Sequence, residues 1–260
     1  MKYLLLSLIA TLCTLVPVSA RTATVCPDGM VKVPGHNSCL DQYEWPNQQG
    51  KNPIVGMPAV PLWQDELTAS FNAKALCESV GKRLCSVDEW INSCEGPEGA
   101  KYPFGNELPD LRYTTPENAP CNYAQWYIGR NELAIQRRDP NEFERLWQGD
   151  RSGERGCVSA SGAEDMMGNV EEWVSCRKRR ADGRVTESMC LMGRFWSEPR
   201  TCNQVLRTHD PKYFDYETGT RCCADPIRAT RVAIIPEFSI WSPGFQPFSH
   251  LDIGAFDDFR

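Results

Sequence analysis

The 260-residue chain lacks most of the signals that announce an enzyme class from sequence. It has no nucleophile elbow, no phosphate-binding glycine loop and no HExxH helix. Only three histidines occur, His36, His209 and His250, so a histidine-rich metal centre is excluded. No two cysteines are spaced C-x-x-C, which removes the usual structural zinc reading. Positive charge is in deficit: 28 Lys and Arg stand against 34 Asp and Glu. That balance argues against nucleic acid or an anionic membrane surface as the main partner. After residue 20 no apolar run is long enough to span a bilayer. Long helical periodicity is also scarce, and there is no internal repeat.

What is present begins with an export signal. Lys2 precedes an apolar run from Tyr3 to Val16, and Val18-Ser19-Ala20 is a small-residue cleavage site. The sequence therefore predicts a signal peptide over 1–20 and a mature chain from Arg21, periplasmic or extracellular. Leu12 before Cys13 argues against a lipoprotein, since a small residue is expected there. Of thirteen cysteines, Cys13 leaves with the signal. The remaining even number, in an oxidising compartment, implies disulfides, each contributing roughly 2–5 kcal/mol. About 240 mature residues are enough for one large domain with a real core.

"CPDGMVKVPGHNSCLDQYEWPN" alternates between turn signals and reads as short strands, with Cys26 and Cys39 placed to staple a hairpin. "LTASFNAKALCESVG" is the best helix, with Phe71, Ala75 and Leu76 on one face and Gly81 as its stop. Ser86 and Glu89 form a capping-box pair for a second short helix. Residues 96–162 read as loop-rich. The basic run 176–180, followed by Ala-Asp-Gly, reads as a solvated hairpin tip rather than an acidic-partner site. Residues 237–260 hold six aromatics, Phe238, Trp241, Phe245, Phe248, Phe256 and Phe259. They read as a tail wrapped over the domain, with a docking segment as the sharper alternative. Two helices among many loops and short strands suggest an α+β domain.

"AEDMMGNVEEWV" (163–174) poses the main question. Taken alone, Asn169 and Glu172 suit a helix cap and its box. Yet "GKRLCSVDEW" (81–90), "DMMGNVEEWV" (165–174) and "GTRCCAD" (219–225), in that order, resemble the sulfatase-modifying-factor family, best known for the formylglycine-generating enzymes. "MVKVPG" and "GRFW" (193–196) also fit, and the match runs from about residue 28 to 235. The resemblance implies an irregular, loop-rich, disulfide-stapled α+β fold related to C-type lectins, over a domain of 21–236.

It also implies two calcium sites. The first would use the side chains of Asp165 and Glu172 with the carbonyls of Gly168 and Val170. Calcium takes six to eight oxygens, and a glycine lets backbone fold closely around it. The second would use the side chains of Asn122 and Asp150 with the carbonyls of Tyr123 and Ser152, and Cys121 and Cys157 flank the two loops. A family bridge maps to Cys77–Cys222. Cys222 and Cys223 are adjacent and a bridge between them would be strained, so each should reach a different partner. The expected set is completed by the short-loop pairs Cys26–Cys39, Cys121–Cys157 and Cys176–Cys190, and, by elimination, Cys85–Cys223 and Cys94–Cys202.

The resembled enzymes oxidise a client sulfatase cysteine with dioxygen, holding copper(I) between two cysteines five residues apart. Thiolates suit soft monovalent copper. In "MGRFWSEPRTCNQ" the first position is Ser197 and the second Cys202. A hydroxyl is a poor copper(I) ligand, so copper is not expected. Arg194 replaces a serine of the motif, and Glu171 stands where the family carries Trp. Cys202 is read as a structural disulfide before a reactive thiol, and His209 as a loop histidine before a base. Two functions follow: a calcium-stabilised, non-catalytic binding or accessory module for an exported protein, small molecule or glycan, or a family oxidoreductase. We expect a monomer.

Overall fold

A computed structural model describes residues 24–45, 53, 69–125, 128–137, 139–210, 213 and 215–229, with backbone only for 69–72. These residues belong to one compact unit ending at Ala229. The expected signal peptide and aromatic tail lie outside the described residues. No helix among those described is long and apolar enough to cross a membrane.

The α+β expectation holds. Strands β1 (Thr24–Val25), β2 (Met30–Lys32) and β3 (Cys39–Asp41) come first, then helix α1 (Ala69–Ser79), β4 (Arg83–Leu84) and α2 (Val87–Glu95). Helices α3 (Glu132–Gln136) and α4 (Pro140–Leu146) precede the long strands β5 (Glu171–Arg179) and β6 (Val185–Met192). Strands β7 (Thr218–Thr220), β8 (Cys222–Ala224) and β9 (Ile227–Arg228) close the described chain. They form three sheets, ordered β1-β9, β2-β3-β8-β4 and β6-β5-β7. Only β5 and β7 pair in parallel within the named strands.

Helix α1 ends as its glycine predicts. Gly81 takes φ 73, and the amides of Gly81 and Lys82 donate to the carbonyls of Glu78 and Cys77, a left-handed cap. Its buried face is Ala73, Leu76 and Cys77, not the expected Phe71–Ala75–Leu76 set; Ala75 is only half-buried and Phe71's side chain lies outside the described set. At α2 both halves of the Ser86–Glu89 capping box form. The basic run forms the end of β5 and reaches the turn only at Arg180, whose N–H donates to Arg184 O; Arg177, Arg179 and Arg180 are exposed and Lys178 is half-buried.

Two details were not anticipated. Residues 96–162 are loop-rich as expected but hold two short helices: Asn131 caps α3, and Asp139 with Pro140 opens α4. Asp-Pro is a sequence-level helix start, but each helix is under two turns and gave no readable period. Nor does Asn169 cap a helix, because residues 171–179 are a strand paired along its length with β6.

All six expected disulfides are present: 26–39, 77–222, 85–223, 94–202, 121–157 and 176–190. The adjacent pair works because neighbours on a strand point to opposite faces. Cys222 packs with Cys77, Trp45 and Trp173; Cys223 packs with Cys85, Leu40 and Trp90 in a different cluster. Six bridges fit an oxidising, exported setting.

Candidate functional site

Residues 162–169 change direction repeatedly. Gly162, Asp165, Gly168 and Asn169 all have positive φ, at 89°, 57°, 83° and 55°. Asp and Asn tolerate this region better than other side chains. Gly168 is required for a further reason: a Cβ there would sit 2.0 Å from the carbonyl oxygen of Asn122. The loop therefore lies directly on the 122 segment. Its other flank is tied to the turn after β6, where Gly168 N–H donates to Gly193 O at 3.1 Å.

The acids bracketing this loop are buried rather than solvated. Asp165 is 3% exposed and Glu172 1%. Asp165 Oδ2 accepts Gly153 N–H at 2.8 Å. Burial lifts its carboxyl to about 6, against the pull of Gly153 N–H and Arg221. Glu172 accepts Trp90 Nε1 at 2.6 Å and is held by the Arg221 guanidinium, Nη2 to Oε1 at 2.9 Å.

Arg221 is wholly buried and satisfied. Nε and Nη2 reach Glu172, Nη1 donates to the carbonyls of Asp41 and Gln42, and Nη2 also to Glu164 O. Those contacts occupy its five N–H donors. Burial opposes the charge, but Glu172, Glu44 and Asp165 more than offset it. One guanidinium thus clamps the segment after β3, the 164 turn and the start of β5. Sequence reading missed this role. The available signal was an arginine set against two buried cysteines in "TGTRCC", where a charge has no business unless paired.

The second missed hub is Asn169, fully buried. Its N–H donates to Asn122 O at 2.9 Å. Its Oδ1 accepts Asp150 N–H at 2.7 Å and Asn122 Nδ2 at 3.1 Å. Its Nδ2 donates to Glu44. Glu44 is itself fully buried, and its carboxyl is pushed well up by burial and by the charges of Asp165 and Glu172.

Two expected calcium sets thus converge on one polar core. They fit an ion unequally. Asp165 presents a buried carboxylate with no guanidinium bonded to it. Glu172 faces Arg221, and a cation at its oxygens would abut that positive charge. In the second set, Asn122 Oδ1 accepts Gln125 Nε2, and Asp150 is ion-paired with Arg155. Tyr123 and Ser152, expected to contribute carbonyls, are both buried beside them. Among the described residues no three His, Cys, Asp or Glu side chains group as a metal-binding set.

The expected catalytic positions lie after β6. Trp196 is buried against Trp147 and Tyr216. Ser197 Oγ is buried without a hydrogen-bond partner among the described residues. Cys202 is 1% exposed and bridged to Cys94. His209 stacks on Tyr213 with ring centroids 3.8 Å apart.

The sequence of residues 28–226 matches the model of the sulfatase-modifying factor enzyme 1-like domain. The chain belongs to this sulfatase-modifying-factor family. No curated protein matches it. Solved structures with a similar course include the Major Tropism Determinant U1 variant, at 13% identity and TM-score 0.45, and the P3c variant, at 14% and 0.44. Each alignment covers 80% of this chain and 55% of that one, so this chain spans about half their length. CarF aligns at 13% identity and TM-score 0.43, over 79% of this chain and 95% of its own. In this sulfatase-modifying-factor domain, "DMMGNVEEWV" and "GTRCCAD" are the two sides of the Glu172–Arg221 clamp, and "GKRLCSVDEW" supplies Trp90 to it.

Proposed function

We propose that this protein is an exported binding or accessory member of its family that does not generate formylglycine. The observation carrying this reading is the state of the position-202 sulfur. Cys202 is joined to Cys94, and a serine stands at the other expected copper position. A bridged sulfur is not a thiolate, and thiolates are what copper(I) requires. The exported protein, small molecule or glycan that it binds is the remaining part of the proposal.

Calcium enters the proposal as a stabiliser at the 165–170 loop. Asp165 would supply the anionic oxygen and Gly168 and Val170 the carbonyls. Glu172 would contribute only by releasing Arg221, so the loop offers a weaker site than the motif alone suggests. The charge supports a cation there: Glu44, Asp165 and Glu172 are buried around one guanidinium.

Thiol titration of the native, unreduced protein tests the functional reading. It should find no free thiol among the twelve mature cysteines, and no tight copper(I) binding. A free Cys202 that binds copper(I) would return the chain to the family's oxidoreductases. Calcium is tested separately by melting with and without EDTA: added calcium should raise Tm and EDTA remove the gain. An unchanged Tm takes the ion out of the account.

A further inference from the structure

A second buried acidic group lies on the other side of β5, at Glu171, Asp215 and Glu217, and it goes beyond the functional reading above. The three residues are 1%, 0% and 6% exposed. Asp215 is well supplied with donors. Tyr216 N–H reaches Oδ1 at 2.8 Å, and Arg130 Nη2 reaches Oδ2 at 2.9 Å. Tyr213 Oη lies 3.0 Å from the same Oδ2 and 3.2 Å from Glu217 Oε1. A phenol has one proton and can donate to only one of two carboxylates. Burial raises the Asp215 carboxyl, but Arg130, Tyr216 N–H and Tyr213 all favour its charged form, which makes it the acceptor of the pair. The Tyr213–Glu217 contact then needs its proton from Glu217.

We propose that Glu217 is a neutral carboxylic acid that donates to Tyr213, and that this chain, Glu217 to Tyr213 to Asp215, is a proton-dependent latch on the β5–β7 seam. The seam begins at this point: Glu171 N–H donates to Glu217 O at 2.8 Å, and β7 starts at the next residue. The groups facing the latch are Glu171 from β5, Arg194 from the turn after β6, Arg130 ahead of α3, and Asp215 and Tyr213 from its own segment. Arg200, Lys178 and His209 lie around its rim. Arg194 Nη1 is 3.3 Å from Glu171 Oε1, while Glu171 Oε2 has no partner among the described residues. One more negative charge here would face Asp215 and Glu171 with Arg194 as its near countercharge.

Burial, then Asp215 and Glu171, raise the Glu217 carboxyl from 4.5 to about 8. A raised folded-state value means that the folded chain holds a proton the unfolded chain has lost. The stabilisation is therefore complete below about pH 4.5 and is lost as pH rises to about 8. In that window Glu217 alone lowers the folding constant by up to about tenfold per pH unit.

The experiment is urea unfolding of the full, disulfide-intact chain from pH 5 to 9, with hydrogen exchange at the Glu171 amide. Wild type should lose stability steadily up to about pH 8 and then level off, with the protection factor of the Glu171 amide falling toward the alkaline end. Glu217→Gln keeps a neutral donor and should flatten that slope. Carboxyl-carbon NMR of the wild-type chain serves where the variant does not fold: the Glu217 signal should titrate well above 6. A Glu217 midpoint near 4.5, or a Glu217→Gln profile with the wild-type slope, overturns the latch.

Discussion

Replacing Arg221 with Met tests the buried clamp most directly. The substitution keeps a long side chain and removes all five donors. Glu172 would keep Trp90 Nε1 as its donor but lose its countercharge. Breaking a buried pair from one side costs about 3–5 kcal/mol, because the surviving charge is left uncompensated. The carbonyls of Asp41, Gln42 and Glu164 lose donors as well, at about 1–3 kcal/mol for each that stays buried and unmet. These terms are not additive, so about 3–5 kcal/mol is the working minimum. For a domain of this size that corresponds to a fall in Tm of roughly 6–20 °C. The assay is thermal and urea unfolding under non-reducing conditions, with the double variant Arg221→Met/Glu172→Leu alongside. Removing both charges should recover part of the loss. The reasoning fails on either of two results: Arg221→Met costing less than about 1 kcal/mol, or the double variant losing the full sum of the two single changes.

Gly168→Ala should be among the worst single-methyl changes in the chain. It puts Cβ 2.0 Å from Asn122 O at a φ of +83°, and left-handed backbone alone costs a non-glycine roughly 1–2 kcal/mol. We expect little soluble protein, or a Tm lower by several degrees; a wild-type melt would show that the 122 and 168 segments do not touch. Asn169→Asp keeps the shape but replaces the Nδ2 donor to Glu44 by an oxygen. It should destabilise at neutral pH and partly recover in acid, as a pH series of unfolding midpoints will show. Loss of the 77–222 bridge, through the paired serine variant, should cost more than loss of the 26–39 bridge. The first closes a separation of 145 residues and the second one of 13, and chain-entropy cost grows with loop length. Equal urea midpoints for the two variants would count against that ordering.

Much of this architecture was legible before any coordinates. Local chemistry is written in neighbours: Ser86 with Glu89 announces a cap, and Gly81 after an apolar period announces a stop. The even cysteine count, read with the family's bridge, led to the full pairing. Short α3 and α4 were missed because two turns leave too few residues for a period to stand out from loop. Asp165 and Glu172 were read together as ligands, but that a guanidinium also holds Glu172 was not legible. A carboxylate that binds an ion and one that binds a guanidinium look alike in sequence. The partner of Glu172 is 49 residues away, and Glu44 meets Asn169 across 125.

The sequence by itself determined the family and the secondary elements with strong local punctuation. Tertiary structure decided the rest: that Arg221 occupies Glu172 and that Asn169 binds the two loops together. It also decided that Glu171, which looked like one more acid in the motif, turns to the opposite side from Glu172 and joins Asp215 and Glu217. The physical reason is the period of a strand. Adjacent residues on β5 face opposite ways, so two neighbouring glutamates serve two separate buried networks, one closed by an arginine and the other by a proton.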